Sequence, residues 1–133
     1  MKSAHLLLAA GLAAAMVVTP SIAATTAREL QSSFSAQAAA PAVPARGQDF
    51  FVARHGREWS CASCHGAQPT QPGRHAATGK PILPLAPAAN PERFSDPAKV
   101  DKWFRRNCND VVGRECTAGE KADLLAWLTS LQP

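Results

Sequence analysis

The segment Cys61-Ala62-Ser63-Cys64-His65 decides the interpretation of this sequence. Two cysteines separated by two residues and followed by a histidine form the C-x-x-C-H pattern, which is typical of covalent attachment of a c-type haem. The spacing has a chemical reason, because one helical turn between the thiols matches the separation of the two haem vinyl groups. The histidine that follows the second cysteine is then placed to bind the iron as its proximal ligand. The motif therefore predicts thioether bonds from Cys61 and Cys64 and an iron bond from His65.

Other uses of this cysteine pair fit the sequence less well. A thioredoxin-like redox pair needs a βαβ context, and the sequence shows none. A zinc site needs a second ligand pair at short spacing, but Cys108 and Cys116 have seven residues between them and no histidine there. A plain disulfide between Cys61 and Cys64 would leave His65 without a role.

The first 24 residues have the features of a secretory signal peptide. Lys2 is followed by an uninterrupted run of apolar residues and glycine from Leu6 to Val18, and small residues lead up to Ala24. A membrane anchor is the alternative, but a bilayer span needs about 20 residues and this run is shorter. We therefore expect cleavage after residues 1–24 and a periplasmic protein, whose mature chain has no segment that could span a membrane.

Removal of the signal peptide changes the composition in a way that bears on haem chemistry. Of 133 residues only 2 are methionine, Met1 and Met16, so the mature chain has none. Lys2 is lost as well, and 13 Lys and Arg then face 10 Asp and Glu, which disfavours nucleic-acid binding. Aromatic residues are only 6% of the chain, so the core of this single domain is small and a bound group would help to fill it.

Apolar residues at helical spacing predict four helices outside the motif. They are expected over 27–38, from about Arg46 to about Gly56, from the cap Asp96 to Gly113 and from the cap Thr117 to Leu131. Residues 40–45 are expected to form a linker, and the stretch rich in proline and glycine over 69–91 an extended strap across the haem. No run of residues alternates as a strand does.

This order of elements predicts an all-α fold. A haem motif that follows a helix, with an amphipathic helix at the end of the chain, fits a class I cytochrome c, in which the first and last helices cross. The helix over 27–38 would be an extra N-terminal helix. We expect a signal peptide at 1–24, the N-terminal helix and linker at 25–45, and a cytochrome c domain with one covalently bound haem at 46–133.

The sixth iron ligand is open, because methionine, the usual one, is absent from the mature chain. The candidates are His55, His75, asparagines, lysines, water or an empty position. Asn107 lies between Trp103 and Val111 in an otherwise apolar helical stripe. A buried amide without a partner costs about 1–3 kcal/mol, so iron, a backbone group or a haem propionate would have to satisfy it. Asn109 is the alternative ligand, on another face of the helix.

Cys108 and Cys116 are the cysteines that remain after haem attachment. Because two cysteines remain and an exported protein meets an oxidising environment, a disulfide between them is favoured, and two free thiols are the alternative.

Basic residues form two groups outside the motif. Arg74, Lys80 and Arg93 flank the strap and are candidates to contact haem propionates. Lys99, Lys102 and Arg106, with Arg105 nearby, lie on the face of the helix that is opposite to the apolar stripe. They form either a docking patch for an acidic redox partner or an ordinary solvated face.

From about Gly47 to Leu131 the sequence resembles the sphaeroides haem protein family of small exported monohaem cytochromes c. The matching segments are the motif with Gly66-Ala67, Thr78-Gly79-Lys80-Pro81, Leu85-Ala86-Pro87, Asn90-Pro91-Glu92-Arg93-Phe94, the run Lys102 to Asn109, and Gly113-Arg114-Glu115-Cys116. The second half is distinctive, whereas the haem motif alone is generic.

The resemblance implies an asparagine ligand to the oxidised haem beside a disulfide, which maps to Asn107 or Asn109 and to Cys108–Cys116. The stripe favours Asn107. In that family the asparagine leaves the iron on reduction, and the ferrous haem then binds O2 or other small diatomics. The resemblance also implies a di-haem cytochrome c as electron donor, with a membrane cytochrome b upstream of it.

Three functions are compatible with these residues. The first is a cytochrome that accepts electrons and binds a small ligand at an opened iron, and this is our prediction. The second is an electron shuttle with a fixed sixth ligand. The third is a small haem peroxidase or reductase, which would need a distal acid–base group, and only His75 and Arg74 are candidates. Whether the protein is an enzyme is left open.

Overall fold

A computed structural model describes residues 25–133, so the predicted signal peptide at 1–24 lies outside the described residues. The helices are α1 (Ala27–Ala38), α2 (Pro44–Val52), α3 (Cys61–His65), α4 (Pro97–Val111) and α5 (Ala118–Ser130). Two short strands, β1 (Gly73–Arg74) and β2 (Pro81–Ile82), pair antiparallel with Gly73 opposite Ile82. A 3₁₀ helix spans Pro91–Phe94. The predicted all-α class is confirmed, with a very small sheet added.

Helix α5 is the centre of the molecule. Every residue from Ala122 to Leu128 is buried, because α1 and α2 both pack against this helix. Leu30 and Phe34 of α1 enter the same core, and the rings of Phe51 in α2 and Trp127 in α5 lie 4.8 Å apart between centroids. Residues 25–45 therefore pack together with the rest of the chain, and the expected boundary at residue 46 falls inside α2.

The contact between α2 and α5 is unusually close. A Cβ at Gly47 would collide with the backbone oxygen of Asp123, so only glycine fits at this point. The Asp123 carboxylate is only 6% exposed, and it accepts hydrogen bonds from the Val43 amide at 2.6 Å and from Nε of Arg46 at 2.7 Å. These bonds satisfy an amide at the beginning of α2 and fix this helix on α5.

The helices α1, α4 and α5 agree with the sequence-based prediction. Asp96 caps α4 by accepting from the Lys99 amide at 3.1 Å, and Thr117 forms the expected capping box with Glu120. Gly113, with φ +81°, follows the end of α4. None of the helices in residues 25–133 has both the length and the apolar character needed to cross a membrane.

Two local predictions were wrong. Helix α2 begins at Pro44, because the fixed φ of proline suits the first helical turn, and it ends at Val52 rather than near Gly56. His55 and Gly56 both have positive φ, which cannot continue a helix. The strap over 69–91 also contains the strands β1 and β2. The sequence did not predict them, because strands of two residues are too short to show alternating polar and apolar side chains.

Candidate functional site

The haem motif forms a helix of one turn, α3, which packs against α2 and β1. Ser60 caps this turn, and its hydroxyl accepts from the Ser63 amide at 3.2 Å while the Ser63 hydroxyl accepts from the Ser60 amide at 3.0 Å. The reciprocal caps explain how so short a helix forms. Neither cysteine of the motif belongs to a disulfide, and both are half-buried.

The imidazole of His65 is half-buried beside the ring of Phe51, at 6.3 Å between centroids. Its Nδ1 is enclosed and has no hydrogen-bond partner among residues 25–133. Burial, with a smaller contribution from the charge of Arg93, lowers the pKa of His65 to about 4. Burial likewise raises the pKa of the Cys61 thiol to about 11. The turn thus presents a neutral imidazole, the form that binds metal.

The β1–β2 hairpin is fastened to this turn. A Cβ at Gly73 would collide with the carbonyl oxygen of Cys64, so the hairpin approaches α3 at a position without a side chain. The Ala76 amide donates to Sγ of Cys64 at 3.3 Å. Sequence reasoning missed this contact, and the only signal for it was the Pro72-Gly73 pair in a segment expected to be a loop.

The two other histidines in the described part of the chain have local partners. Nε2 of His55 lies 2.8 Å from the carbonyl oxygen of Phe50, near the end of α2. Nδ1 of His75 accepts from the amides of Ala77 and Thr78, each at 3.3 Å. Each histidine therefore stabilises its own turn, which weakens both as candidates for the sixth ligand.

The three residues expected at haem propionates lie in different surroundings. The Arg93 guanidinium donates to the carbonyl oxygens of Leu83 at 2.8 Å and Pro84 at 3.2 Å, and burial lowers its pKa. Arg74 donates to the carbonyl oxygen of Gly79 at 2.7 Å, and Lys80 is exposed. Only Arg93 acts electrostatically on His65. Contact with propionates remains a prediction for all three.

The buried edge of α4 differs from the expected stripe. Val100, Phe104 and Cys108 face the core, and the ring of Phe104 meets that of Phe34 in α1 edge to face at 5.9 Å between centroids. Asn107 is exposed rather than buried, and Trp103 is 45% exposed. The reason is that contact with α1 turns α4 toward Phe104 and Cys108, which leaves the edge with Trp103 and Asn107 open.

The two candidate asparagines differ in their hydrogen bonds. The Asn109 side chain donates to the Arg105 carbonyl oxygen at 2.7 Å and so lies along its own helix. The side-chain amide of Asn107 has no hydrogen bond within residues 25–133. Helical geometry places Asn109 about 200° around α4 from Asn107, so the two cannot serve the same site without a change in the helix.

The end of α4 is held in two ways next to Asn107. A disulfide joins Cys108 to Cys116, with their Cα atoms 5.6 Å apart and both residues buried. The side chain of Arg57, from the loop before the haem motif, lies against Gly113, where a Cβ would be 3.6 Å from its Cδ. The loop that leads into α3 therefore reaches the end of α4.

Comparison with known proteins agrees with these features. A family described as a domain of unknown function, DUF1924, matches residues 37–128. The cytochrome c-type protein SHP of Cereibacter sphaeroides is 48% identical over 121 residues, which cover 87% of this chain and 93% of the relative. This chain belongs to the sphaeroides haem protein family.

Two solved structures show the same architecture. Oxidised SHP, an oxygen-binding cytochrome c, superposes with a TM-score of 0.76 at 49% identity, over 81% of this chain and 99% of that one. A solution structure of cytochrome c'' from Methylophilus methylotrophus, described as giving insights into haem-ligand detachment, superposes with a TM-score of 0.70. The identity is 36%, over 80% of this chain and 94% of that one. This sphaeroides haem protein family member is accordingly a monohaem c-type cytochrome with a covalently bound haem.

The residues of α3 fit that cofactor. Two half-buried thiols on one turn match the two haem vinyl groups, and the neutral imidazole of His65 with its unpartnered Nδ1 is suited to an iron bond.

Proposed function

We propose that this protein is an exported cytochrome c in which Asn107 ligates the ferric iron opposite His65 and leaves on reduction, so that O2 or another small diatomic can bind. The observation that carries the proposal is the exposed Asn107 amide, which has no hydrogen bond within residues 25–133 and lies directly before the Cys108–Cys116 disulfide. Cys61 and Cys64 would hold the haem through thioethers, and His65 would bind the iron.

The state of the two asparagines supports Asn107 as the ligand. The Asn109 side chain would have to break its 2.7 Å bond to Arg105 before it could turn elsewhere. Asn107 loses no such bond, since its amide is free. The adjacent disulfide restrains the backbone at Cys108, so the Asn107 side chain can swing away without displacement of the helix.

The chemistry of an amide ligand explains why it should leave. When held by Cys61, Cys64 and His65, the haem would supply an iron that alternates between ferric and ferrous states. The amide oxygen of Asn107 is a hard and weak donor, which favours the ferric state over the ferrous one. After reduction the displaced Asn107 amide group remains nearby as a hydrogen-bond donor for a small ligand.

The relatives support an iron ligand that binds and dissociates. SHP is an oxygen-binding cytochrome c, and the work on cytochrome c'' concerns haem-ligand detachment. We propose the same behaviour here, together with cleavage of residues 1–24, a periplasmic location, electron supply by a di-haem cytochrome c and a membrane cytochrome b upstream. The acid–base candidates for the peroxidase or reductase alternative, His75 and Arg74, both make hydrogen bonds within the β1–β2 hairpin.

Optical spectra of the holoprotein test this proposal. The dithionite-reduced protein is expected to be high-spin, with an immediate change on addition of CO. Asn107→Ala should shift the Soret band of the oxidised protein, because the substitution removes the sixth ligand, whereas the matched control Asn109→Ala should leave its spectrum unchanged. A reduced spectrum with sharp low-spin bands and no response to CO would instead indicate a fixed ligand and a plain electron shuttle.

A further inference from the structure

We propose that one exposed face of α4 is the docking surface for an acidic electron-transfer protein. The face comprises Lys99, Lys102, Trp103 and Arg106 and is called the α4 face below. The inference rests in part on the proposed function, because that function places the iron beside the edge of α4 that carries Asn107. It adds the place where electrons enter and the chemistry of the partner.

The charge of this face is the first observation. Lys99, Lys102 and Arg106 are all exposed. Only Arg106 has a carboxylate within salt-bridge distance in residues 25–133, Asp110 at 3.9 Å, and both of those side chains are about two thirds exposed. The two lysines are free of such partners in the same part of the chain. Unpaired surface cations of this kind steer an oppositely charged protein toward the face.

An exposed aromatic side chain at the edge of the face nearest Asn107 is the second observation. Trp103 is 45% exposed, and it is one of three large apolar side chains so exposed in the described chain. The Arg106 guanidinium lies 5.4 Å above its ring. Tryptophan and arginine are enriched where proteins bind each other, whereas lysine is typical of the rim. The face thus has an aromatic side chain at one edge and the two lysines beside it.

The position of the face relative to Asn107 is the third observation. Trp103 lies one turn before Asn107 on the same edge of α4, so its ring is close to the candidate ligand. The proximity provides a short route between a docked donor and the iron. Arg105, in contrast, faces the other side of α4, toward Glu115 and Lys121, and is not part of the surface.

Kinetics of electron transfer test the docking surface. The holoprotein, with Lys99→Glu and Lys102→Glu combined, would be compared with the double variant Arg28→Glu and Arg105→Glu, which changes the net charge equally away from the face. The probe is reduced flavodoxin, an acidic electron-transfer protein, mixed anaerobically with each oxidised cytochrome in a stopped-flow instrument. Oxidation of each reduced cytochrome by hexacyanoferrate(III) tests the same face with a small anion.

At low ionic strength the face variant should react with flavodoxin about tenfold or more slowly than the wild type, and the control variant within about threefold of it. High salt should remove the difference, because it screens the steering charges. Equal rates for the two double variants would overturn the proposal. The proposal would also be overturned if Lys99 and Lys102 were needed for binding to vesicles that contain phosphatidylserine but not for the rate of reaction with flavodoxin.

The spectra keep this result separate from the proposed function. Both double variants should retain the wild-type spectra in oxidised, reduced and CO-treated forms, since neither alters Asn107 or the haem motif. A low-spin reduced spectrum would refute ligand release while leaving the docking rates interpretable. Wild-type spectra with equal docking rates would refute only the docking surface.

Discussion

The attachment side of the site, formed by α3 and the β1–β2 hairpin, is packed very differently from the α4 side. On the attachment side Nδ1 of His65 is enclosed, and Gly73 touches the Cys64 backbone so closely that no side chain fits. On the α4 side Trp103 and Asn107 are exposed, and α4 is held through Phe104 and a disulfide. A rigid turn suits a permanent ligand, whereas an open helix edge suits one that must leave.

The largest effect is expected on the attachment side, from His65→Ala. Loss of the imidazole removes the predicted proximal ligand, so covalent haem should be nearly absent from the purified protein. Haem staining of a denaturing gel and the Soret absorbance measure this loss. The matched control is His55→Ala, which removes the bond to the Phe50 carbonyl and the contact with the Phe50 ring and should keep its haem. Equal haem loss in the two variants would contradict the assignment of His65.

A smaller effect is expected on the α4 side, from Cys108→Ser combined with Cys116→Ser. Opening this short loop should lower the free energy of unfolding by about 2–3 kcal/mol, because the unfolded chain gains freedom. Urea unfolding of the holoprotein measures the change. The covalent haem should stay in place, since α3 is untouched, while the oxidised spectrum should change in the same direction as that of Asn107→Ala. An unchanged urea midpoint would show that α4 is held chiefly by its packing on α1.

The smallest effect concerns the ion pair between Arg114 and Glu120, at 2.6 Å, next to the disulfide. The hydrogen bond from Arg114 is the main cause that lowers the pKa of Glu120 below its ordinary value of 4.5. A carboxyl with a lowered folded-state pKa stabilises the protein above its unfolded-state pKa, and this contribution is lost as the pH falls through the folded-state pKa.

Arg114→Gln should therefore lower the free energy of unfolding only slightly at pH 7, because solvent screens this ion pair, and by less at pH 3. Urea unfolding at the two pH values measures the difference. Arg28→Gln is the control, because Arg28 is exposed and has no salt bridge within residues 25–133. An equal cost at both pH values would mean that Arg114 acts through packing rather than charge.

Local signals predicted most of the helices and the attachment turn. Asp96 and Thr117 mark the beginnings of α4 and α5 because a side-chain oxygen accepts from an amide three residues away. The C-x-x-C-H motif likewise contains its whole chemistry in five neighbouring residues. The β1–β2 pair was not predictable in this way, because it depends on a glycine that packs on a distant backbone carbonyl.

The sequence by itself determined that this chain has a haem attachment turn and that no methionine lies beyond residue 16 to serve as iron ligand. Both facts depend on residue identity and short spacing. Only the tertiary structure decided which edge of α4 is open, because the burial of Val100, Phe104 and Cys108 fixes the rotation of that helix. That rotation leaves Asn107 and Trp103 exposed, a result that helical periodicity cannot give, since it identifies an apolar face without its partner.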